Sequence, residues 1–498
     1  MASLKNDASS ESPQYGGNGS GYDGKVFVHL NDQAPCADGG LFDARLEGRG
    51  GRIFLTRLNC ADIPVALQAA VQVETTLLSP TVVIFEGRVY LERILVIDDS
   101  VAGLDNTRFV GGNGFTVDQN GALNGTVGVL ARYKPDGTPD WMKTSPELTA
   151  SIKNFGALPS GDIVMVTTRL DDNTAGIFKL NAQGVPQWAR VVARGSNYDA
   201  GYWFSSVASD SANNIYLSGG LEDSSSKSAG VFVMKLDPNG TLLWTRTILP
   251  PTGMVPTAGP HSQSSAVTVV SATGIFVKGN LKGVPVVARL NETGGYYWLK
   301  TYPGFKSGFG AVHRPNHTTV LSLNDTSTSL LLEVDALGNE VSARRLTAPA
   351  GFTTAFLGYL LLSPDGTTTA AGYIGNDSRR SGIVLVRDGS DVVKSQWQIS
   401  IGIYSPVEFP KLGPDGIVWA QARVPFAAGG LLTSVMLRFD PAAPAPTCAF
   451  CSVPNLQLTA VAAPSSSTQG SLFSDQFLTI APTTNPVLSD IAPGTFAY

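Results

Sequence analysis

The stretch Gly230-Val-Phe-Val-Met-Lys-Leu-Asp-Pro-Asn-Gly-Thr-Leu-Leu-Trp244 is an apolar strand, a polar turn closed by Gly240, and a second strand opening on Trp244. β-Branched and aromatic residues suit pleated strands, and an Asp/Asn-to-Gly turn between two such runs is a strong hairpin signal. The same phrase returns along the chain. It reads Tyr133-Lys-Pro-Asp-Gly137 with Trp141, Leu180-Asn-Ala-Gln-Gly184 with Trp188, and Leu290-Asn-Glu-Thr-Gly294 with Trp298. A fifth copy, Val334-Asp-Ala-Leu-Gly338, carries Ser342 in the Trp slot. A sixth is distorted, Arg387-Asp388-Gly389 followed by Trp397, and a seventh begins as Leu437-Arg-Phe-Asp440 before dissolving into Pro and Ala. Successive slots lie about 44 to 56 residues apart, the period of a four-stranded propeller blade.

A second hairpin alternates with the first. Its turns are Leu158-Pro-Ser-Gly161, Asp210-Ser-Ala-Asn213, Ser271-Ala-Thr-Gly274, Ser363-Pro-Asp-Gly366 and Gly413-Pro-Asp-Gly416, with Arg314-Pro-Asn-His317 as a degraded copy. Val117-Asp-Gln-Asn-Gly121 reads as a further copy ahead of Gly137. Two hairpins per unit make four strands. The expectation is an all-β, seven-bladed β-propeller over 104–445, closed by N- and C-terminal strands sharing one blade. In that closure ~427–445 and ~104–127 build the blade together, so no sheet edge is left bare. A Trp at a fixed slot in each unit reads as a packing residue between neighbouring sheets. The turn is one residue shorter than in quinone-dependent propellers. Its aromatic sits one place later than in sialidase-type Asp-boxes.

The phrase resembles the bacterial SBBP-type β-propeller repeat, most closely over Gly230–Trp244 and at Asn197-Tyr-Asp-Ala-Gly201 followed by Ser209-Asp-Ser-Ala-Asn213. The resemblance covers about 104–445 and weakens in the last three units. It implies a propeller fold and a surface-associated protein, and it implies no particular chemistry. Near the start, Gly17-Asn-Gly-Ser20 and Leu55-Thr-Arg-Leu-Asn-Cys60 look like the opening of mature surface lipoproteins of predatory bacteria.

Charged residues are only 15% of the chain and the net charge is −5, which argues against a nucleic-acid binder. No apolar run is long enough to span a bilayer as a helix. Residues 1–24 read as a flexible tether, rich in Ser, Gly and Asn, of the kind that separates a lipid anchor from a folded domain. Residues 25–103 read as a β-rich module with one helix near Asp62–Val71. Residues 446–498, rich in Ser, Thr, Pro and Ala, are expected to pack on that module. The four cysteines, Cys36, Cys60, Cys448 and Cys451, have no His nearby. They suit two disulfides, Cys36 with Cys60 and Cys448 with Cys451, in an oxidising compartment; a zinc site and a redox Cys-x-x-Cys are the alternatives. The expected location is extracytoplasmic: periplasm, outer-membrane surface or secreted.

No catalytic or metal-ligating constellation stands out, and no cofactor is implied. The four histidines, His29, His261, His313 and His317, lack further ligands at metal spacing. Antiparallel strands send the short turns to one face of the ring and the longer connectors to the other. The longer connectors are 193–204, 249–263, 302–309 and 401–409. Function concentrates on variable loops over a rigid scaffold. The candidate binding residues are therefore the aromatics and histidine of that face: Tyr198, Tyr202, Trp203, His261, Phe305 and Phe309. Trp203 and Phe204 can equally start an inner strand. The leading expectation is a non-enzymatic scaffold or adhesin that binds a protein or glycan partner at the cell envelope. A carbohydrate-active lyase or hydrolase with its site in the central channel, and a quinone-type oxidoreductase, are the alternatives.

Overall fold

In the central blade, Tyr202–Ser209, Ile215–Glu222, Ser228–Leu236 and Leu242–Ile248 lie side by side as an antiparallel meander. The computed structural model describes most of residues 96–491, together with four short strands nearer the N-terminus. Those four form two antiparallel pairs, Ser3–Asn6 with Val26–His29 and Ala44–Glu47 with Arg52–Leu55. The helix expected near Asp62 and the remainder of the N-terminal module lie outside the described residues. Among the described residues there is no helix.

The chain is a β-propeller, and its described residues form six four-stranded blades, not seven. Blade 1 spans 96–145, blade 2 152–194, blade 3 202–248, blade 4 266–301, blade 5 311–347 and blade 6 354–399. A further sheet has three strands, Val407–Leu412, Val418–Phe426 and Leu431–Phe439. Each blade's first strand packs against the first strands of its neighbours. The first strand of the three-stranded sheet does so against blades 6 and 1. Middle strands are covered on both sides by adjoining sheets. Ile163–Thr167 and Thr319–Asn324 are accordingly buried at every position, and Ile163–Thr167 reads as a nearly unbroken apolar run.

The expected sharing of one blade by ~104–127 and ~427–445 does not occur among the described residues. Arg108–Val117 pairs with Val96–Ala102 and Leu123–Tyr133 within blade 1, while Leu431–Phe439 pairs with Val418–Phe426. The error lies in one turn. The segment at 118–122 links the second and third strands of blade 1. The missing first-to-second turn is Gly103-Leu-Asp-Asn106, where Gly103 N donates to Thr107 O and Asn106 takes a left-handed φ of 60°. Blade 1 is therefore complete by itself, and it includes Val96–Ala102. After Asp440 come Pro441, Pro444 and Pro446. Proline has no N–H for a ladder, so this stretch is unsuited to be a fourth strand.

The C-terminal segment runs round the rim as a belt. It adds a fifth strand to the outer edge of all six blades, in reverse chain order. Cys451–Ser452 pairs with blade 6, Gln457–Ala460 with blade 5, Ser467–Thr468 with blade 4, Phe473–Ser474 with blade 3, Leu478–Thr483 with blade 2 and Ser489–Ile491 with blade 1. A segment so poor in large apolar residues cannot build its own core. Its backbone can still complete ladders, and six outer edges supply them. The N-terminal module it was expected to join lies largely outside the described residues.

The repeated phrase couples each blade to the next from blade 2 to blade 5. Trp188 of blade 2 donates Nε1–H to Pro238 O, 3.0 Å away in the turn of blade 3. Trp244 reaches Glu292 O in blade 4 at 2.9 Å, and Trp298 reaches Ala336 O in blade 5 at 3.0 Å. Two residues on, Arg190 and Arg246 donate Nε–H to Gly240 O and Gly294 O, at 3.0 and 2.8 Å. The glycine receiving the indole adopts positive φ, 78° at Gly240, and a Cβ there would stand 3.1 Å from the Trp188 ring. Asp237 fixes the turn by accepting from Asn239 N and Thr241 N, at 2.9 and 2.8 Å. Turn, glycine, Trp and Arg thus form one clasp spread over two blades.

Candidate functional site

The two faces of the ring differ in regularity. One carries only short turns, each with its own hydrogen-bonded geometry, such as Gly161 N to Leu158 O at 2.9 Å and Gly416 N to Gly413 O at 3.0 Å. The other carries the connectors between blades and between second and third strands. The former vary widely, from the short link 348–353 to the long one 249–265. The irregular face is the candidate functional surface.

Of the residues singled out there, Tyr198, His261 and Phe309 lie outside the described residues. Tyr202 and Trp203 open the first strand of blade 3, and Phe204 beside them is buried between sheets, its ring 5.4 Å from Phe232 edge to face. Phe305 is 8% exposed and sits in the core with Phe276, Trp298 and Tyr302. It is not the accessible ring expected, because the turn at 302–305 folds back: Tyr302 N donates to Pro285 O at 3.0 Å. Cys36, Cys60 and Cys448 lie outside the described residues. Cys451 stands in the first belt strand, opposite Ile399.

The structure does place a cavity at this face. It has a volume of about 420 Å³ and lies between blades 5 and 6. Thr347, Pro349 and Phe352 from the connector form one wall, Gln398 of blade 6 another, and Pro454 and Gln457 of the belt the third. Two amide side chains beside an aromatic ring and two prolines offer hydrogen bonds and a flat apolar wall together. That is the chemistry of polar, non-ionic ligands such as sugars or extended peptide. Nothing in the sequence brings the belt to this place, so the cavity was not legible from it.

Several buried polar groups were also missed. Lys278 is 2% exposed and donates to Gly310 O at 3.3 Å; burial holds its amine well below the usual lysine range. It occupies the strand position taken by Ser218 in blade 3 and Ser322 in blade 5. A Lys where neighbouring units have Ser was the available signal. Asp99, 1% exposed, accepts from Phe155 N of blade 2 at 2.9 Å and faces Lys411 of the three-stranded sheet at 3.6 Å. Between blades 5 and 6, where Ser342 replaces the clasp Trp, the coupling is ionic. Ser342 donates to Glu333 at 3.0 Å, Arg314 reaches Glu333 at 3.3 Å and Asp391 at 2.5 Å, and Arg387 reaches Asp391 at 3.0 Å. His313 lies against the Phe276 ring at 5.1 Å; burial, with His317 and Arg289 nearby, lowers its pKa to about 4. Among the described residues no three His, Cys, Asp or Glu side chains are grouped to hold a metal ion. These groups join sheets; they do not converge on a shared open site.

No known protein family matches the chain, and no curated protein does. Solved structures that resemble it include two described as propellers. The Dos1 propeller aligns with a TM-score of 0.43 at 11% identity, over 69% of this chain and 78% of that one. A catalytically inactive virginiamycin B lyase from Staphylococcus aureus aligns with a TM-score of 0.43 at 8% identity, over 70% and 98%. The β-propeller domain of the Trilobed protease from Pyrococcus furiosus aligns with a TM-score of 0.40 at 10% identity, over 70% and 96%. The likeness is one of fold alone.

Proposed function

We propose that this propeller is an extracytoplasmic interaction scaffold that takes a protein or glycan partner at the cell envelope through its irregular face. One observation carries the reading. The polar and aromatic side chains of the repeated phrase are engaged in clasps between blades, whereas the irregular connectors all emerge on the opposite face, where the cavity beside Phe352 and Gln398 also lies. A stiff ring with variable loops on one side suits presentation and recognition.

The test is a glycan array and a pull-down from envelope fractions, using the whole chain and two variants. One variant replaces 250–265 by a short Gly/Ser linker, and the other carries Phe352→Ala with Gln398→Ala. Capture by the whole chain that falls at least tenfold in either variant supports the reading. Capture that survives both variants removes the face from consideration. Chemical change in a captured glycan replaces the scaffold by a carbohydrate-active enzyme. Export is checked separately, by fractionating cells of the native host and probing for the chain outside the cytoplasm.

A further inference from the structure

We propose that the short-turn face of blades 3 to 6 docks a partner protein whose contacting surface is apolar, with lysines or arginines at its margin. This surface lies on the side of the ring opposite the irregular connectors, so it goes beyond the proposed function and does not depend on it. Among the described residues nine large apolar side chains are exposed, and all nine sit in short turns or at the strand ends beside them. The residue just before the clasp slot shows how local the feature is. It is exposed in all six blades. In blades 1, 2 and 6 it is Asp140, Gln187 and Lys394, the polar type that a solvent-facing position calls for. In the three consecutive blades 3, 4 and 5 it is Leu243, Tyr297 and Val341.

Neighbouring turns extend the patch. Tyr296 adjoins Tyr297, Leu337 stands 76% exposed in the turn of blade 5, and Val392 and Val393 follow in blade 6. Arg289 ties two of these blades together. Its guanidinium lies 4.5 Å from the centre of the Tyr297 ring and donates to Ala336 O, beside Leu337, at 2.6 Å. Apolar residues exposed singly are ordinary, whereas a run of them over adjoining blades marks a contact surface. Charge decides the chemistry of the partner. Each of the four turns carries an acid: Asp237, Glu292, Asp335 and Asp388. Asp388 is paired with Lys394 at 3.6 Å, and among the described residues the other three carboxylates have no ion pair. The arginines that reach this side, Arg246 and Arg289, donate to backbone carbonyls. An apolar arc edged with carboxylates complements an apolar surface edged with cations, and it disfavours anionic lipid.

Two labelled peptides probe the full chain by fluorescence anisotropy, an amphipathic Leu/Lys peptide and its Leu/Glu counterpart. The Leu/Lys peptide should bind and the Leu/Glu peptide should not. Tyr297→Ser with Leu337→Ser leaves the charge unaltered and should weaken binding about tenfold. Asp237→Asn, Glu292→Gln and Asp335→Asn together keep an acceptor oxygen in each turn. They should weaken binding about fivefold and remove most of its dependence on salt. The substituted side chains are at the surface, so melting curves should coincide with that of the unaltered chain. Phe352→Ala with Gln398→Ala, on the other face, should bind the peptide as the unaltered chain does, so the two surfaces are tested separately. No binding of the Leu/Lys peptide overturns the proposal, as does binding that neither short-turn variant alters. Weakening in only one of the two also overturns it, because apolar contact or charge would then act alone. Binding of phosphatidylcholine vesicles that is lost in the Tyr297 and Leu337 variant overturns the assignment to a protein partner and gives the arc to a lipid surface. Self-association lost in that same variant overturns it in favour of a second copy.

Discussion

Gly240 shows how much one residue can be asked to do. Its φ of 78° is costly for any side chain with a Cβ, and the space a Cβ would need holds the Trp188 ring. Gly240→Ala should therefore destabilise the protein by about 1–2 kcal/mol. The indole should also lose its bond to Pro238 O, so a chemical-denaturation curve and the Trp emission spectrum should shift together. Asp391 occupies the same turn position in blade 6, with a φ of 65°, and adds a charge that two buried arginines need. Asp391→Ala should cost about 3–5 kcal/mol, because Arg314 and Arg387 then lose their shared carboxylate in a buried setting. Equilibrium denaturation that shows less than 1 kcal/mol would mean that water replaces the carboxylate. His313 gives a pH signature. Its folded pKa of about 4 lies below the ordinary histidine value near 6.5, so the unfolded chain binds the proton first. Stability should be complete above about pH 6.5 and fall as the pH drops towards 4. His313→Phe should flatten the melting temperature across that interval. Loss from carboxylates such as Asp210 and Asp325, whose folded pKa values lie below the usual range, belongs to lower pH.

Strands and hairpins were the most legible level, and the reasons are local. An Asp or Asn opening a turn accepts two backbone N–H groups, as Asp335 does from Leu337 and Asn339 at 2.8 Å each. That requirement fixes the residue type, so the turns repeat visibly in the sequence. The same rule corrects blade 6. Asp388 is the turn opener, accepting from Ser390 and Val392 at 2.9 Å each, and Asp391 holds the left-handed position instead of Gly389. Ser395, opposite Val386, therefore fills the Trp slot. Trp397 lies two residues deeper, 2% exposed and edge-on to Phe439 at 4.5 Å. Asn106 was missed for a similar reason, since a left-handed Asn does what Gly does elsewhere without the letter that announces it. The belt was illegible because its pairing is carried by backbone, with side chains contributing little; Ser466 donating to Glu340 at 2.7 Å is an exception. Deleting 451–498 should bare the outer strands of six blades together. Sedimentation should then show concentration-dependent self-association, and the amides of 186–194 should exchange faster. A truncated chain that stays monomeric would mean the edges are guarded by something else.

Across the ring, counting repeats gave the right period but assigned one turn to the wrong place, and that slip put ~104–127 and ~427–445 in one blade; the count fell from seven to six because, among the described residues, no fourth strand follows Asp440. Of the expected binding residues, Phe305 lies in the core, and Tyr198, His261 and Phe309 lie outside the described residues; Phe204, read as able to start an inner strand, is buried in the first strand of blade 3. The clasp geometry also predicts where the ring tolerates change. The connector 249–265 leaves blade 3 and enters blade 4, and those blades are already joined by Trp244 and Arg246. Shortening it to a Gly/Ser linker should leave the melting temperature within about 2 °C, since loop length changes closure entropy only logarithmically. A larger fall in calorimetry would show that the connector packs as part of the ring.

The belt visits the blades in the opposite order to their synthesis. Blade 1 leaves the ribosome first, yet the strand that covers its rim, Ser489–Ile491, comes after every other belt strand. Blade 6 waits least, because Cys451–Ser452 follows soon after it. Synthesis halted within the belt therefore releases a ring whose uncovered rim always begins at blade 1 and extends round by as many blades as there are missing stations. The circumference becomes a gauge of how far translation ran, readable by anything that recognises a bare strand edge.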